Sequence, residues 1–169
     1  MSGAPDPELD AAIAAVEAWR GLETVVTPIT AGITNRNFRV EVGGESFVLR
    51  LAGRDTGLLG IDREAENEAG RAAAAAGVGP EVYAWLPDHA CLITRFVAGT
   101  YIPEEDLQRE DVLASVIASV RGIHGCRPIR SRFPVFRIVE EYRTLAADRR
   151  VAPIVARTTS GTFHLPPDM

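Results

Sequence analysis

A surplus of basic charge is missing from this chain: 18 basic residues against 23 acidic ones leave a net charge of −5. A general nucleic-acid binder needs a basic face to neutralise phosphates, so that class is set aside. A single anionic ligand is not excluded, because a local cation outweighs net charge at short range. No apolar run approaches the ~20 residues needed to span a bilayer. The first residues are acidic and rich in proline, without a charged start followed by an apolar stretch, so no signal peptide is read and the expected location is cytoplasmic. Cysteine is scarce: Cys91 lies in an apolar strand-like run and Cys126 follows a helix-like run, in no metal-like spacing. Both are read as buried free thiols of a reducing compartment.

An ordinary globular balance is what remains. Apolar content of 46% and charged content of 24% over 169 residues suit one domain with a proper core, or one lobe with an extension. Asp6-Pro7 followed by Leu9, Ile13, Val16 and Trp19 predicts a capped amphipathic helix ending at Gly21. Strand patterns follow at 24–30, 37–42 and 46–52. Phe38, Val40 and Val42 share one face of the second. Phe47, Leu49 and Leu51 share one face of the third, with Val48, Arg50 and Ala52 opposite. Gly43-Gly44 between them is a strong hairpin turn.

Residues 53–60 read as a loop and 62–76 as a helix capped by Asp62 and stopped by Gly77. A second hairpin pattern spans 81–86 and 91–97 around Pro87-Asp88-His89. Helix, three strands, helix, two strands: this order predicts an α+β fold with about five antiparallel strands and a helix packed on the sheet. From Glu104 the character turns helical. Leu107, Val112, Leu113, Val116, Ile117 and Val120 recur at helical spacing over 106–123, and Pro134 opens a further helix through Arg149. Residues 151–169 carry no periodicity.

Two places invite chemistry. In the loop Ala31-Gly32-Ile33-Thr34-Asn35-Arg36-Asn37, a flexible Gly followed by Asn lets backbone amides turn toward a phosphate, though Gly and Asn are also common in plain hairpin turns. Arg50 stands on an otherwise apolar strand, where an unpaired buried charge is costly. It either points into water from an edge strand or meets an anion. The helix that follows offers Glu64, Glu66 and Glu68, of which Glu64 and Glu68 share a face while Glu66 lies on another. A strand cation paired to a helix carboxylate can hold the α- and β-phosphates of ATP, an arrangement protein kinases build with Lys.

Four blocks together carry a resemblance: Gly32-Ile33-Thr34-Asn35-Arg36-Asn37-Phe38, Phe47-Val48-Leu49-Arg50-Leu51, Ile61-Asp62-Arg63-x-x-Glu66 and Gly77-Val78-Gly79-Pro80-Glu81. In order and spacing they resemble the choline/ethanolamine kinase branch of the aminoglycoside phosphotransferase superfamily, over residues 20–145. The resemblance implies a protein-kinase-like N-lobe over 1–98 and a hinge and first C-lobe helices over 99–150; the aperiodic residues 151–169, which carry none of the family's pattern, are read as an irregular tail. It implies that Thr34, Asn35, Arg36 and Asn37 line the ATP phosphates and that Arg50 replaces the kinase Lys. Glu66 becomes the implied partner of Arg50, with Glu68 second. Ile93-Thr94-Arg95-Phe96 becomes the hinge whose backbone meets adenine, so Thr94 and Phe96 join the implied site. His124, at a helix end, is implied to be structural. ATP and Mg2+ are the implied cofactors, and a small alcohol such as choline or ethanolamine the acceptor, with an aminoglycoside or other sugar-like alcohol as a further candidate.

One departure weighs as much as the match. The family's catalytic loop reads His-x-Asp with a later Asn, followed by a further Asp that holds magnesium. Here His89 precedes Ala-Cys, His124 precedes Gly-Cys and His164 precedes Leu-Pro, and the only acid after Asp148 is Asp168. No catalytic or metal-ligating residue is therefore assigned. A general base is worth about 10²- to 10⁴-fold in rate, and metal neutralises charge on the transferring phosphoryl group, so negligible transfer is expected from this chain alone. It reads as a truncated kinase, with an early stop or frame change after about residue 148, the other reading of that segment being a natural, loosely ordered C-terminus. The alternative is a non-catalytic nucleotide-binding or protein-interaction module built on a kinase small lobe.

Overall fold

The structure, a computed structural model, describes residues 6–30, 35–53, 61–132 and 134–148. The turn at Gly32–Thr34, the 54–60 part of the expected loop and the aperiodic tail 151–169 lie outside the described residues. Strand β2 (Asn35–Val42) and strand β3 (Glu45–Ala52) form the central hairpin. Their turn residues Gly43 and Gly44 have φ of +60° and +79°, a left-handed pair that a side chain would strain. Strand β1 (Thr24–Ile29) pairs with β2 on one side. Strand β5 (Cys91–Arg95) pairs with β3 on the other, and β4 (Val82–Leu86) lies outside β5. The sheet order is β1-β2-β3-β5-β4, every pair antiparallel.

Alternation places the core on one face of this sheet. Val40, Val42, Phe47, Leu49, Leu51, Cys91 and Ile93 are buried there. Helix α1 (Pro7–Ala14) covers them with Leu9 and Ala12, and Val16 and Trp19 complete the cluster. The helix was expected to run to Gly21, but it stops at Ala14. Val16 is extended, with ψ of 100°, and a 3-10 turn follows over Glu17–Trp19. That break folds Trp19 back onto the sheet, its ring 5.1 Å from Phe47 and stacked on Tyr83 at 5.9 Å. At the other end of α1 the Asp6 carboxylate accepts from the Leu9 amide at 3.2 Å, satisfying an orphan helix donor.

Helix α2 (Arg63–Ala75) begins at Asp62, whose carboxylate accepts from the Ala65 amide at 3.0 Å, and it gives way to Gly77 at φ +71°. The chain divides into two compact units after Arg132. Helix α3 (Glu110–His124) stays with the first, where a Cβ on Gly122 would fall 2.5 Å from Val78 Cγ1. Cys126 Sγ, just beyond α3, lies 3.5 Å from the Ala72 carbonyl. Leu107, expected within the α3 stripe, sits instead in a 3-10 turn over Glu104–Gln108. Arg109 is extended with ψ of 136°, so the register breaks before α3 starts. Along α3, Leu113, Val116, Ile117 and Val120 remain 42–48% exposed. The second unit contributes helix α4 (Val135–Asp148). Among the described residues, no helix is long and apolar enough to cross a membrane.

Candidate functional site

The sheet face opposite the core is where polar chemistry gathers. Since Phe47, Leu49 and Leu51 point into the core, Val48 and Arg50 must leave β3 the other way. Residues directly opposite in a ladder share a face. Pairing of Val48 with Thr94 and of Arg50 with Leu92 brings those β5 residues alongside. Pairing of Asn35 with Ala52, Asn37 with Arg50 and Arg39 with Val48 adds the β2 residues. Helix α2 closes one side. A cleft of about 330 Å³ results, walled by Val48, Leu92, Thr94 and Ala73, with Arg50 and Glu66 among its lining. Gly70 and Gly79 also line it, both in close contact: a Cβ on Gly79 would meet Ala73 Cβ at 3.0 Å, and one on Gly70 would meet Val82 at 3.3 Å.

Three glutamates of α2 find three different partners. Arg50 Nη1 donates to Glu66 Oε1 at 2.8 Å, across sixteen residues of sequence. Glu64 accepts from the Trp85 indole at 2.6 Å, and Glu68 from the Arg130 amide at 3.1 Å. The second oxygen of Glu66 is also taken: Arg63 Nη1 donates to Oε2 at 2.7 Å. Burial alone would raise the Glu66 carboxyl, but hydrogen bonds and positive charge from Arg50 and Arg63 outweigh it and hold the group below the ordinary carboxylate value of 4.5. Glu66 is therefore ionised near neutrality, as an ion pair to a strand arginine requires.

The residues expected at a nucleotide site separate by face. Asn35, Asn37, Arg50 and Thr94 stand on the cleft side, with Glu66 meeting Arg50 from α2. Phe96 follows β5. Its amide donates to the Ser46 carbonyl at 2.9 Å, and the Arg39 guanidinium lies over its ring at 4.4 Å. Arg36 is not brought there. It pairs in register with Leu51, on the core side, and donates to Asp6 at 2.6 Å and to Glu8 at the start of α1. Strand alternation is the reason: a run of four residues cannot all face one ligand. Thr34 lies outside the described residues. His124 is the exposed last residue of α3.

Two residues of this face were not anticipated. Arg39 shares the parity of Asn37 on β2, a signal present in the alternation but indistinguishable there from a solvated strand arginine. Arg63 stands three residues before Glu66, a spacing that puts both on one helix face.

A nucleotide fits this donor set: a guanidinium suits phosphate oxygens and an apolar wall suits a base. A divalent cation does not. Among the described residues, no group of three or more His, Cys, Asp or Glu is placed to hold a metal ion.

The sequence pattern of the phosphotransferase enzyme family matches residues 25–158. No curated protein matches the chain. Among solved structures, a choline/ethanolamine kinase family protein from Mesorhizobium loti superposes with a TM-score of 0.64 at 29% identity, over 83% of this chain and 45% of that one. Choline kinase LicA from Streptococcus pneumoniae gives 0.64 at 16% identity, over 81% of this chain and 48% of that one. LicA in complex with AMP gives 0.59 at 14% identity, over 80% and 48%. Identity this low for LicA speaks to the fold, which is that of a kinase-like N-lobe. The chain spans under half the length of each of these relatives.

Proposed function

The chain belongs to the phosphotransferase enzyme family, and on that premise we propose that residues 1–98 are the ATP-holding lobe of a choline- or ethanolamine-type kinase. Residues 99–150 then form the hinge and first helices of the second lobe, and 151–169 a tail. The observation that carries this reading is the Arg50–Glu66 pair at 2.8 Å, set beside the cleft of Val48, Leu92 and Thr94. Arg50 offers a planar set of N–H donors to the α- and β-phosphates. Glu66 fixes its orientation, Val48 and Thr94 flank the base, and the Thr94–Phe96 segment meets the adenine edge. Asn35 and Asn37 face the phosphates, while Arg36, engaged by Asp6 and Glu8, supports the strand that presents them.

ATP held there supplies the transferable phosphoryl group. A small alcohol such as choline or ethanolamine is the acceptor in the parental reaction, with a sugar-like alcohol as the other candidate. The sequence holds no His-x-Asp loop and the described residues no Mg2+ ligand set, so these 169 residues are proposed to bind nucleotide without transferring phosphate by themselves. A cytoplasmic location goes with an ATP-dependent role.

A second reading draws on one further observation. Leu113, Val116, Ile117 and Val120 leave α3 with an exposed apolar stripe, which suits a non-catalytic module that meets a partner chain. Calorimetric titration with ATP, followed by light scattering of the same sample, separates the two. Saturable ATP binding that Arg50→Gln weakens by about tenfold or more supports the nucleotide reading. A defined oligomer that ignores ATP supports the interaction module.

A further inference from the structure

Arg63 is the least expected cation of the candidate site. It occupies the first helical position of α2, directly after the Asp62 cap. A positive charge there opposes the helix dipole, whose N-terminus favours anions. Yet Arg63 is only 16% exposed, against 44% for Arg50, and its Nη1 is committed to Glu66 Oε2 at 2.7 Å. The Glu66 carboxylate is thus shared, one oxygen to each guanidinium.

This sharing changes the net charge at Arg50. A lone Arg50–Glu66 pair is neutral, and an anionic ligand approaching it meets a carboxylate as well as a guanidinium. With Arg63 bound to the far oxygen, two cations flank one anion and the group carries one net positive charge. The partly buried setting keeps that charge from being fully screened. Position is governed as well. Glu66 is anchored from within its own helix at i,i+3, so its Oε1 stays aimed at β3 rather than following Arg50 toward solvent.

We propose that Arg63 is a positioning and charge-setting residue for anion binding at Arg50: it occupies the outer oxygen of Glu66, leaving Arg50 oriented but not neutralised. This rests on the nucleotide reading above and adds to it a third member that touches no ligand itself.

The test is calorimetric titration of the 169-residue protein and four variants with ATP. Arg63→Gln leaves Glu66 to Arg50 alone, and the dissociation constant for ATP rises by roughly tenfold. Adding Glu66→Gln to Arg63→Gln removes the surplus carboxylate, and affinity rises above that of Arg63→Gln but stops short of the parent, because Glu66 no longer orients Arg50. Arg63→Lys, which keeps the charge, stays close to the parent. Arg63→Gln binding like the parent overturns the proposal. So does a double variant no tighter than Arg63→Gln, since that is the pattern of a residue that only supports α2. Should Arg63→Gln not fold, Arg63→Lys decides: a folded lysine variant that loses affinity overturns the charge role. Arg50→Gln is the control for the underlying reading. If the parent does not bind ATP, or Arg50→Gln binds as the parent does, the nucleotide assignment itself fails and this inference falls with it.

Discussion

Arg36 and Arg50 stand one position apart in the β2–β3 register, yet they leave opposite faces of the sheet. Arg36 lies opposite Leu51 and reaches Asp6 and Glu8 at the start of α1. Arg50 lies opposite Asn37 and reaches Glu66 on α2. One arginine thus ties the core-covering helix to β2, and the other arms the cleft. The two substitutions are expected to part company. Arg50→Gln lowers ATP affinity by about tenfold to a hundredfold, the scale of a charge-assisted contact, with little change in melting temperature. Arg36→Gln leaves ATP affinity near the parent and lowers the melting temperature by a few degrees. Titration calorimetry and thermal unfolding of both variants check this.

Acid is expected to loosen α2 through Glu66. Its folded pKa lies below the ordinary 4.5, so the unfolded chain takes up the proton first. The stability that Arg50 and Arg63 confer is fully present above about pH 4.5 and is lost as pH falls through the lowered folded value. Urea midpoints measured from about pH 6 down to about pH 3 should fall more steeply for the parent than for Glu66→Gln. Parallel slopes would remove Glu66 from the account.

The two cysteines are not equivalent. Cys91 is fully buried in the core, where desolvation pushes its thiol up to about 12, while Cys126 is half-buried. A thiolate reagent near neutral pH should modify Cys126 in the folded protein and reach Cys91 only on unfolding. Because the folded pKa is raised from 9.0, the part of stability resting on Cys91 is whole below about pH 9 and declines as pH rises toward 12. Mass spectrometry of native and urea-treated samples reads the modified site directly.

Packing gives a further pair of outcomes. Trp19→Ala removes the ring that packs on both Phe47 and Tyr83, at a cost of about 3–5 kcal/mol. Gly122→Ala adds a Cβ at 2.5 Å from Val78 Cγ1. The gain in helix propensity should be outweighed by an overpacking cost of about 1–3 kcal/mol. Val78→Ala in the same chain should recover most of it. Chemical denaturation of the single and double variants decides the matter.

How much of this was written in the sequence depends on the range of the interaction. The β2–β3 hairpin was plain, because alternation and Gly43-Gly44 are local signals that agree. Alternation also marked the buried face of β3, but an apolar face does not say what covers it. That α1 does so, and that it breaks at Val16 to deliver Trp19, is a tertiary outcome. Glu64, Glu66 and Glu68 could not be told apart by spacing, since each is chosen by a partner distant in the chain: Trp85, Arg50 and the Arg130 amide. Arginine rather than lysine as the strand cation at position 50 agrees with a chain whose 18 basic residues include no lysine. The motif groups Arg36 with its neighbours, and the pleat of the strand separates it from them.

The most direct test of the account is backbone NMR of the labelled protein titrated with ATP. Shift changes are expected to concentrate on Asn37, Val48, Arg50, Glu66, Thr94 and Phe96, with Arg36 and α1 nearly still. Changes centred on α1 or on the α3 stripe, or none at saturating ATP, would contradict it.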